Sequence, residues 1–129
     1  MKYLLDTHAI IWYMEESSEL PQEITALIDN PLMDVCICAI SLWEIAIKMN
    51  LGKLEIKLTL DELLEYVKTR EFRIINIEDE HLLSLHDLPY IHKDPFDRLL
   101  VATAITEGLT IITIDENIRK YDVSWVWND

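Results

Sequence analysis

Hydrophobic residues along the chain alternate between short strand-like runs and longer stretches with helical spacing. Residues 2–5, 34–38 and 73–77 are apolar runs of strand length. Between them, leucine and valine recur at i, i+3, i+4 and i+7 across residues 60–69, which predicts an amphipathic helix. Strands that alternate with helices in this way are typical of a parallel sheet covered by helices on both faces.

Further helices are predicted by the same spacing and by capping residues. One helix is expected to start near His8, a second to open at Pro21, and another to cover residues 78–86. Ser41 followed three residues later by Glu44 matches a capping box. We therefore expect Ser41 to be the N-cap of a third helix, with Glu44 in its first turn.

The stretch before the C-terminus has the clearest helix and strand signals. Asp94 before Pro95 predicts an N-cap followed by proline at the first helical position. Gly108 is expected to end this largely apolar helix. Residues 110–114 are β-branched throughout and predict a buried parallel strand that stops at Asp115.

These elements predict one α/β domain over residues 1–129, a three-layer α/β/α sandwich with a central parallel sheet of four to five strands. Residues 123–126 would supply a short edge strand. Right-handed crossovers favour the order 3-2-1-4-5. This order places the strands that end at Asp6 and Asp115 side by side, where ligands bind in open parallel sheets.

Composition restricts the function. The 24 acidic residues against 11 lysines and arginines give a net charge of −13, which disfavours direct binding of phosphates but permits contact through metal ions or with a basic protein. With two glycines the chain has no glycine-rich nucleotide cradle. Cys36 and Cys38 are interpreted as core thiols rather than a metal pair. We expect no membrane span and no signal peptide, hence a cytoplasmic protein.

Four acids are expected at the carboxyl edge of the sheet: Asp6, Glu44, Asp97 and Asp115. Each also has a structural interpretation as a cap, a capping-box partner or a favourable charge near a helix N-terminus. Two carboxylates at about 4 Å repel by about 4 kcal/mol at an effective dielectric of 20. Convergence of the four would therefore favour a Mg²⁺ or Mn²⁺ ion, which carboxylates and water suit.

Three segments together resemble the PIN-domain family, and within it the VapC-type toxins of toxin–antitoxin modules. They are LLDTHAIIW at the start, SLWEIAIKMNLGKL in the middle and HKDPFDRLLVATAITEGLTIITID near the end. The closing stretch, residues 121–127, is also similar to that of the family. The resemblance spans nearly the whole chain.

This resemblance implies a metal-dependent endoribonuclease, usually a homodimer, that a cognate antitoxin protein silences. By this likeness the acids Asp6, Glu44, Asp97 and Asp115 form the Mg²⁺ or Mn²⁺ site, with Asp94 and Thr113 as secondary candidates. Cleavage of RNA would leave 5′-phosphate and 3′-hydroxyl ends. The RNA target is not indicated.

No histidine is required as a base. His8 is interpreted as a polar residue at a helix start, His92 as a loop surface residue, and His81 and His86 as helix surface residues. Basic residues could flank the site and steer RNA: Lys48, Lys53, Lys93, Arg98 and Arg119. The tryptophans could be core, dimer interface or RNA contacts: Trp12, Trp43, Trp125 and Trp127.

Two other functions stay open at this point. The first is a catalytically inactive PIN-like interaction module in which the acids are only caps. The second is a phosphatase with Asp6 as nucleophile, which is disfavoured because His8 stands where such enzymes place a second acid.

Overall fold

The computed structural model describes residues 2–128. Its sheet has five strands, all parallel. They are β1 (Lys2–Leu5), β2 (Asp34–Cys38), β3 (Arg73–Ile75), β4 (Thr110–Ile112) and β5 (Trp125–Val126). Their order is β3-β2-β1-β4-β5, so the predicted order 3-2-1-4-5 is confirmed.

Helices cover both faces of the sheet, as the predicted three-layer arrangement requires. They are α1 (Thr7–Met14), α2 (Gln22–Asp29), α3 (Ala39–Asn50), α4 (Leu60–Thr69), α5 (Asp79–Asp87), α6 (Pro95–Glu107) and α7 (Glu116–Arg119). Side chains of α1, α2 and α4 pack with Leu5, Ile37 and Ile112 on one face. Those of α6 and α7 pack with Leu4, Cys36 and Ile111 on the other face. No helix within residues 2–128 is long and apolar enough to cross a bilayer.

The central strand β1 pairs with both β2 and β4, with Leu4 opposite Cys36 and Ile111. All three residues are fully buried, because apolar strands of a parallel sheet are covered on both sides. Cys36 and Cys38 are free and buried, which confirms their interpretation as core thiols. Burial raises the pKa of the Cys38 thiol to about 12, so this thiol is unreactive at neutral pH.

Several predicted boundaries need correction. β3 ends at Ile75 and β4 at Ile112, so both strands are shorter than the apolar runs that predicted them. The short helix α7 follows Asp115 and was not predicted. Thr113 still donates its backbone N–H to the Val126 carbonyl at 3.2 Å, and the chain then turns into the Asp115 cap of that helix.

The predicted capping box of α3 is wrong. The helix begins at Ala39, directly after β2, with Cys38 as N-cap and no side-chain cap. Ser41 is therefore inside the helix and buried, and Glu44 is in the second turn rather than the first. Packing of Ile40 into the core starts the helix earlier than the polar signal indicates.

His81 was interpreted as a surface residue, and this is also wrong. Its side chain is buried between α5 and α6. Nδ1 accepts a hydrogen bond from the Glu78 backbone N–H at 3.0 Å, and Nε2 lies 2.8 Å from the carboxylate of Glu107. These two contacts satisfy the ring, so a polar residue can be buried there. His86 is exposed, as expected.

Candidate metal centre

Asp6 lies at the carboxyl end of β1 and caps α1. Its Oδ1 accepts a hydrogen bond from the Ala9 backbone N–H at 2.8 Å, and the residue is only 4% exposed. The Thr113 hydroxyl also hydrogen-bonds the Asp6 carboxylate. The same hydroxyl accepts from the Asp115 backbone N–H at 2.9 Å. The buried Thr113 thus connects the two acids that follow β1 and β4.

Asp115 is the N-cap of α7. Its Oδ1 accepts from the backbone N–H groups of Asn117 and Ile118 at 2.8 and 3.1 Å. The two capping interpretations, for Asp6 and Asp115, therefore hold. A cap uses one carboxylate oxygen in each case, which is compatible with a second role for the other oxygen.

Glu44 is buried and both of its oxygens have partners. Oε1 accepts from the Thr7 hydroxyl at 2.6 Å, and Oε2 lies 2.6 Å from Nζ of Lys48. Only 5% of the Glu44 side chain is exposed, against 39% of the Lys48 side chain. Because Glu44 is one turn inside α3, its side chain reaches toward α1 instead of capping its own helix.

Asp97 lies in the first turn of α6, as predicted. Asp94 caps that helix, with its Oδ1 accepting from the backbone N–H groups of Phe96 and Asp97. His92 Nε2 lies 3.2 Å from Asp97 Oδ2, and His92 Nδ1 lies 2.8 Å from the Tyr121 hydroxyl. Only 13% of the His92 side chain is exposed, so its interpretation as a loop surface residue is wrong.

The acids are electrostatically coupled. Burial and then the charge of Asp94 raise the pKa of Asp97 to about 7, with smaller upward contributions from Asp115 and Glu44 and an opposing hydrogen bond from His92. Burial, and to a lesser degree the charge of Asp115, raises the pKa of Asp6, although hydrogen bonds oppose this. Raised carboxylate pKa values mean that negative charge here lacks compensation.

A cleft of about 650 Å³ opens over part of this cluster. It is lined by Lys48, His92, Lys93, Asp94, Pro95, Phe96, Asp97, Asp115 and Asn117. Asp6 and Glu44 are buried instead. Neither the contact of His92 with Asp97 nor the Lys48–Glu44 ion pair is predicted by the sequence analysis above, although the i,i+4 spacing of the pair is a usable signal.

The residues fit a hard divalent cation, because they are oxygen donors with an excess of negative charge. Yet no three His, Cys, Asp or Glu side chains within residues 2–128 are arranged as they stand to hold an ion. Mg²⁺ is commonly bound through one or two carboxylates with water completing its shell, so a closed cage is not required. The fold therefore provides carboxylate oxygens that could bind an ion, but not a complete coordination shell within residues 2–128.

The basic residues named from the sequence differ in position. Lys48 and Lys93 line the cleft. Arg98 donates to the Pro89 carbonyl and lies over the Tyr90 ring. Arg119 stacks on Trp125 at 4.1 Å, and Lys53 is exposed in a loop.

The four tryptophans differ in burial. Trp12 packs against the core and contacts Trp127 with ring centroids 5.9 Å apart. Trp43 is 59% exposed and meets Phe96 edge-on, whereas Trp125 is 41% exposed. The first pair is therefore structural, and the exposed pair is available to a partner.

Comparison with known proteins agrees with the fold. The chain is 28% identical over 123 residues to "Ribonuclease VapC22" of Mycobacterium tuberculosis (strain ATCC 25618 / H37Rv), covering 92% of this chain and 90% of that protein. Similar solved structures include VapBC2 from Rickettsia felis bound to a DNA fragment from their promoter, with a TM-score of 0.75, 18% identity and 100% of both chains covered. Another is FitAcB from Neisseria gonorrhoeae, with a TM-score of 0.67, 22% identity and coverage of 98% of this chain and 96% of that one.

A family model described as "PIN domain" matches residues 3–124, which is nearly the whole chain. This match runs from Tyr3 in β1 past the end of α7 and includes all four acids of the candidate site. The chain belongs to the PIN domain family.

Proposed function

We propose that this protein is a metal-dependent endoribonuclease, the toxin of a toxin–antitoxin pair. Membership of the PIN domain family and the likeness to a protein named as a ribonuclease support this activity. The observation that carries most weight is the position of the acids: Asp97 and Asp115 line one cleft, and Asp6 follows β1, the strand paired with β4. Burial and then the charge of Asp94 raise the pKa of Asp97 to about 7. Such a concentration of uncompensated charge beside a cleft is expected of a cation site and is costly otherwise.

In this proposal Asp6, Asp97 and Asp115 hold one Mg²⁺ or Mn²⁺, and Glu44 completes the site or serves a second ion. A divalent ion would lower the pKa of a bound water and neutralise charge on the scissile phosphate. Water attacks phosphorus in line and the P–O3′ bond breaks, which leaves 5′-phosphate and 3′-hydroxyl ends. The acidic chain would thus handle RNA through cations.

The surrounding residues have positioning roles in this scheme. His92 hydrogen-bonds Asp97 and is itself fixed by the buried Tyr121 hydroxyl, so it orients the carboxylate. Thr113 keeps Asp6 and the backbone of Asp115 together. Asp94 is assigned to capping α6, with a place as an additional ligand as the alternative.

The family likeness implies three further features of the proposed toxin: an inhibitory antitoxin, a homodimer and a cytoplasmic location. A cognate antitoxin would inhibit the enzyme, and an arginine presented to the acidic cleft is the natural contact. A homodimer is expected, and exposed apolar side chains such as Trp43 and Leu83 offer surface for it. The protein would act in the cytoplasm, where its RNA substrate is found.

One alternative has specific support. Asp6, Asp94 and Asp115 all accept capping hydrogen bonds, which is what a catalytically inactive interaction module would need from them. That module would not cleave RNA under any metal condition. A phosphatase with Asp6 as nucleophile would instead form a phospho-aspartate and leave RNA intact.

The test is cleavage of a labelled RNA pool with Mn²⁺, with Mg²⁺ and with excess EDTA. We expect cleavage only with metal, and loss of about 100-fold or more in Asp115→Asn, because the ion would lose a charged ligand. Glu116→Gln is the matched control, since it removes the same charge from the next, exposed residue. Cleavage that persists in EDTA or in Asp115→Asn would contradict the proposal.

A further inference from the structure

Lys48 is the basic residue in closest contact with the acid cluster. Its Nζ lies 2.6 Å from Oε2 of Glu44, which is buried, while its own side chain is 39% exposed at the cleft. The other oxygen of Glu44 is bonded by Thr7. Both carboxylate oxygens of Glu44 that could bind an ion therefore already accept hydrogen bonds from protein groups.

Lys48 also acts beyond its direct partner. Asp94 and Asp97 both exert a favourable Coulomb effect on its ammonium group. These two acids line the same cleft as Lys48, so the cleft beside the Lys48–Glu44 pair carries two further carboxylates. A fixed positive charge at that place does part of what a bound cation would do.

We propose that Lys48 is a built-in counter-cation of the cluster, which holds Glu44 in the metal-free protein and lowers the affinity of the site for a divalent ion. This inference rests on the proposed metal site. The ammonium repels an incoming ion and withholds a carboxylate from it, so both effects act in the same direction. Its flexible four-carbon stem allows the ammonium to leave Glu44 for an anionic phosphate that enters the cleft.

The charge of Lys48, rather than its size, is the property to change. Lys48→Met keeps the length of the stem and removes the charge, and Lys48→Gln keeps a donor for Glu44 without the charge. Lys48→Arg keeps the charge. Lys93→Met is the matched control, because Lys93 is an exposed lysine that lines the same cleft.

The measurement is Mn²⁺ binding to the full chain by isothermal titration calorimetry, without RNA. We expect Lys48→Met and Lys48→Gln to bind Mn²⁺ about tenfold more tightly than the unmodified protein, as a unit charge near a divalent ion predicts. Lys48→Arg should bind like the unmodified protein, and Lys93→Met should change the affinity by less than about threefold.

Thermal unfolding gives a second readout that needs no activity. In EDTA, Lys48→Met should melt at a lower temperature than Lys93→Met, because Glu44 loses its partner. Added Mn²⁺ should then raise the melting temperature of Lys48→Met more than that of the unmodified protein.

Equal Mn²⁺ affinity in Lys48→Met, Lys48→Gln and the unmodified protein would overturn the inference, and so would weaker binding in both variants. Neither result would affect the proposed ribonuclease. Absence of Mn²⁺ binding in every variant, in contrast, would overturn both this inference and the proposed metal site.

Discussion

The Thr7 hydroxyl donates a hydrogen bond of 2.6 Å to Oε1 of Glu44, although 37 residues separate the two in sequence. Thr7 directly follows Asp6, so this bond attaches the carboxyl end of β1 to the second turn of α3. It fixes the distance between two acids of the candidate site through a residue that carries no charge. The contribution of this hydrogen bond to stability can therefore be measured by replacing Thr7.

Thr7→Val removes the hydroxyl and keeps the shape of the side chain. We expect the free energy of unfolding to fall by about 1–3 kcal/mol, because a buried carboxylate loses a donor. Thr7→Ser should stay close to the unmodified protein. The control is Thr69→Val, where the hydroxyl bonds the Tyr66 carbonyl at an exposed position and the change should be within about 0.5 kcal/mol. Urea unfolding measures all three, and an equal loss in the two valine variants would contradict the role of the buried bond.

Asp97 predicts a pH dependence of stability in the metal-free protein. Its pKa rises from 3.8 in the unfolded chain to about 7 in the folded one, chiefly through burial. The folded state therefore binds more protons than the unfolded state between these values, and stability contributed by this group is lost as pH rises from about 4 to about 7.

Asp97→Asn should abolish that loss. At pH 8 in EDTA we expect the variant to be more stable than the unmodified protein by about 4 kcal/mol, whereas the two should converge near pH 4. Asp122→Asn, at an exposed position, is the control and should leave the pH profile unchanged. If Asp97→Asn is less stable than the unmodified protein at pH 8, the account of an unfavourable buried charge is wrong.

Substitutions of Asp94 can distinguish a capping role from a metal-binding role. Asn is also a good N-cap and lacks the charge that repels Asp97, so Asp94→Asn should be at least as stable as the unmodified protein and keep its RNA cleavage to within about tenfold. Asp94→Ala should lose about 1 kcal/mol, because the N–H groups of Phe96 and Asp97 lose their acceptor. Cleavage in Asp94→Asn as low as in Asp115→Asn would identify Asp94 as a ligand instead.

His81 should matter for stability and not for chemistry. His81→Ala leaves a cavity and frees the Glu78 N–H and the Glu107 carboxylate, so we expect a loss of about 2–4 kcal/mol. His86→Ala changes an exposed ring and should be nearly neutral. Folded His81→Ala protein should retain normal cleavage per molecule, and a selective loss of activity would contradict this assignment.

Much of the fold could be predicted because its signals are local. The limits of β2 and α4, the Asp94 cap and the Gly108 stop of α6 follow from short sequence patterns, and the structure agrees with each. Gly108 adopts φ +68°, a conformation that favours glycine. The strand order followed from chirality and from the position of the acids.

The remaining features depend on contacts between distant segments. Ser41 and Glu44 match a capping box locally, but core packing moves the N-cap of α3 three residues earlier, to Cys38, and Glu44 bonds Thr7 instead. His92 gains its burial from Tyr121, which follows it by 29 residues. No local pattern contains such partners, so the surface interpretation of His92 was the natural error.

Anomalous diffraction at the manganese edge from crystals grown with Mn²⁺ tests the central claim most directly. The account predicts one strong peak within bonding reach of at least two of the acids Asp6, Asp97 and Asp115, with His92 still on Asp97. A map with no peak among these acids, from protein that cleaves RNA in the same Mn²⁺ solution, would contradict it.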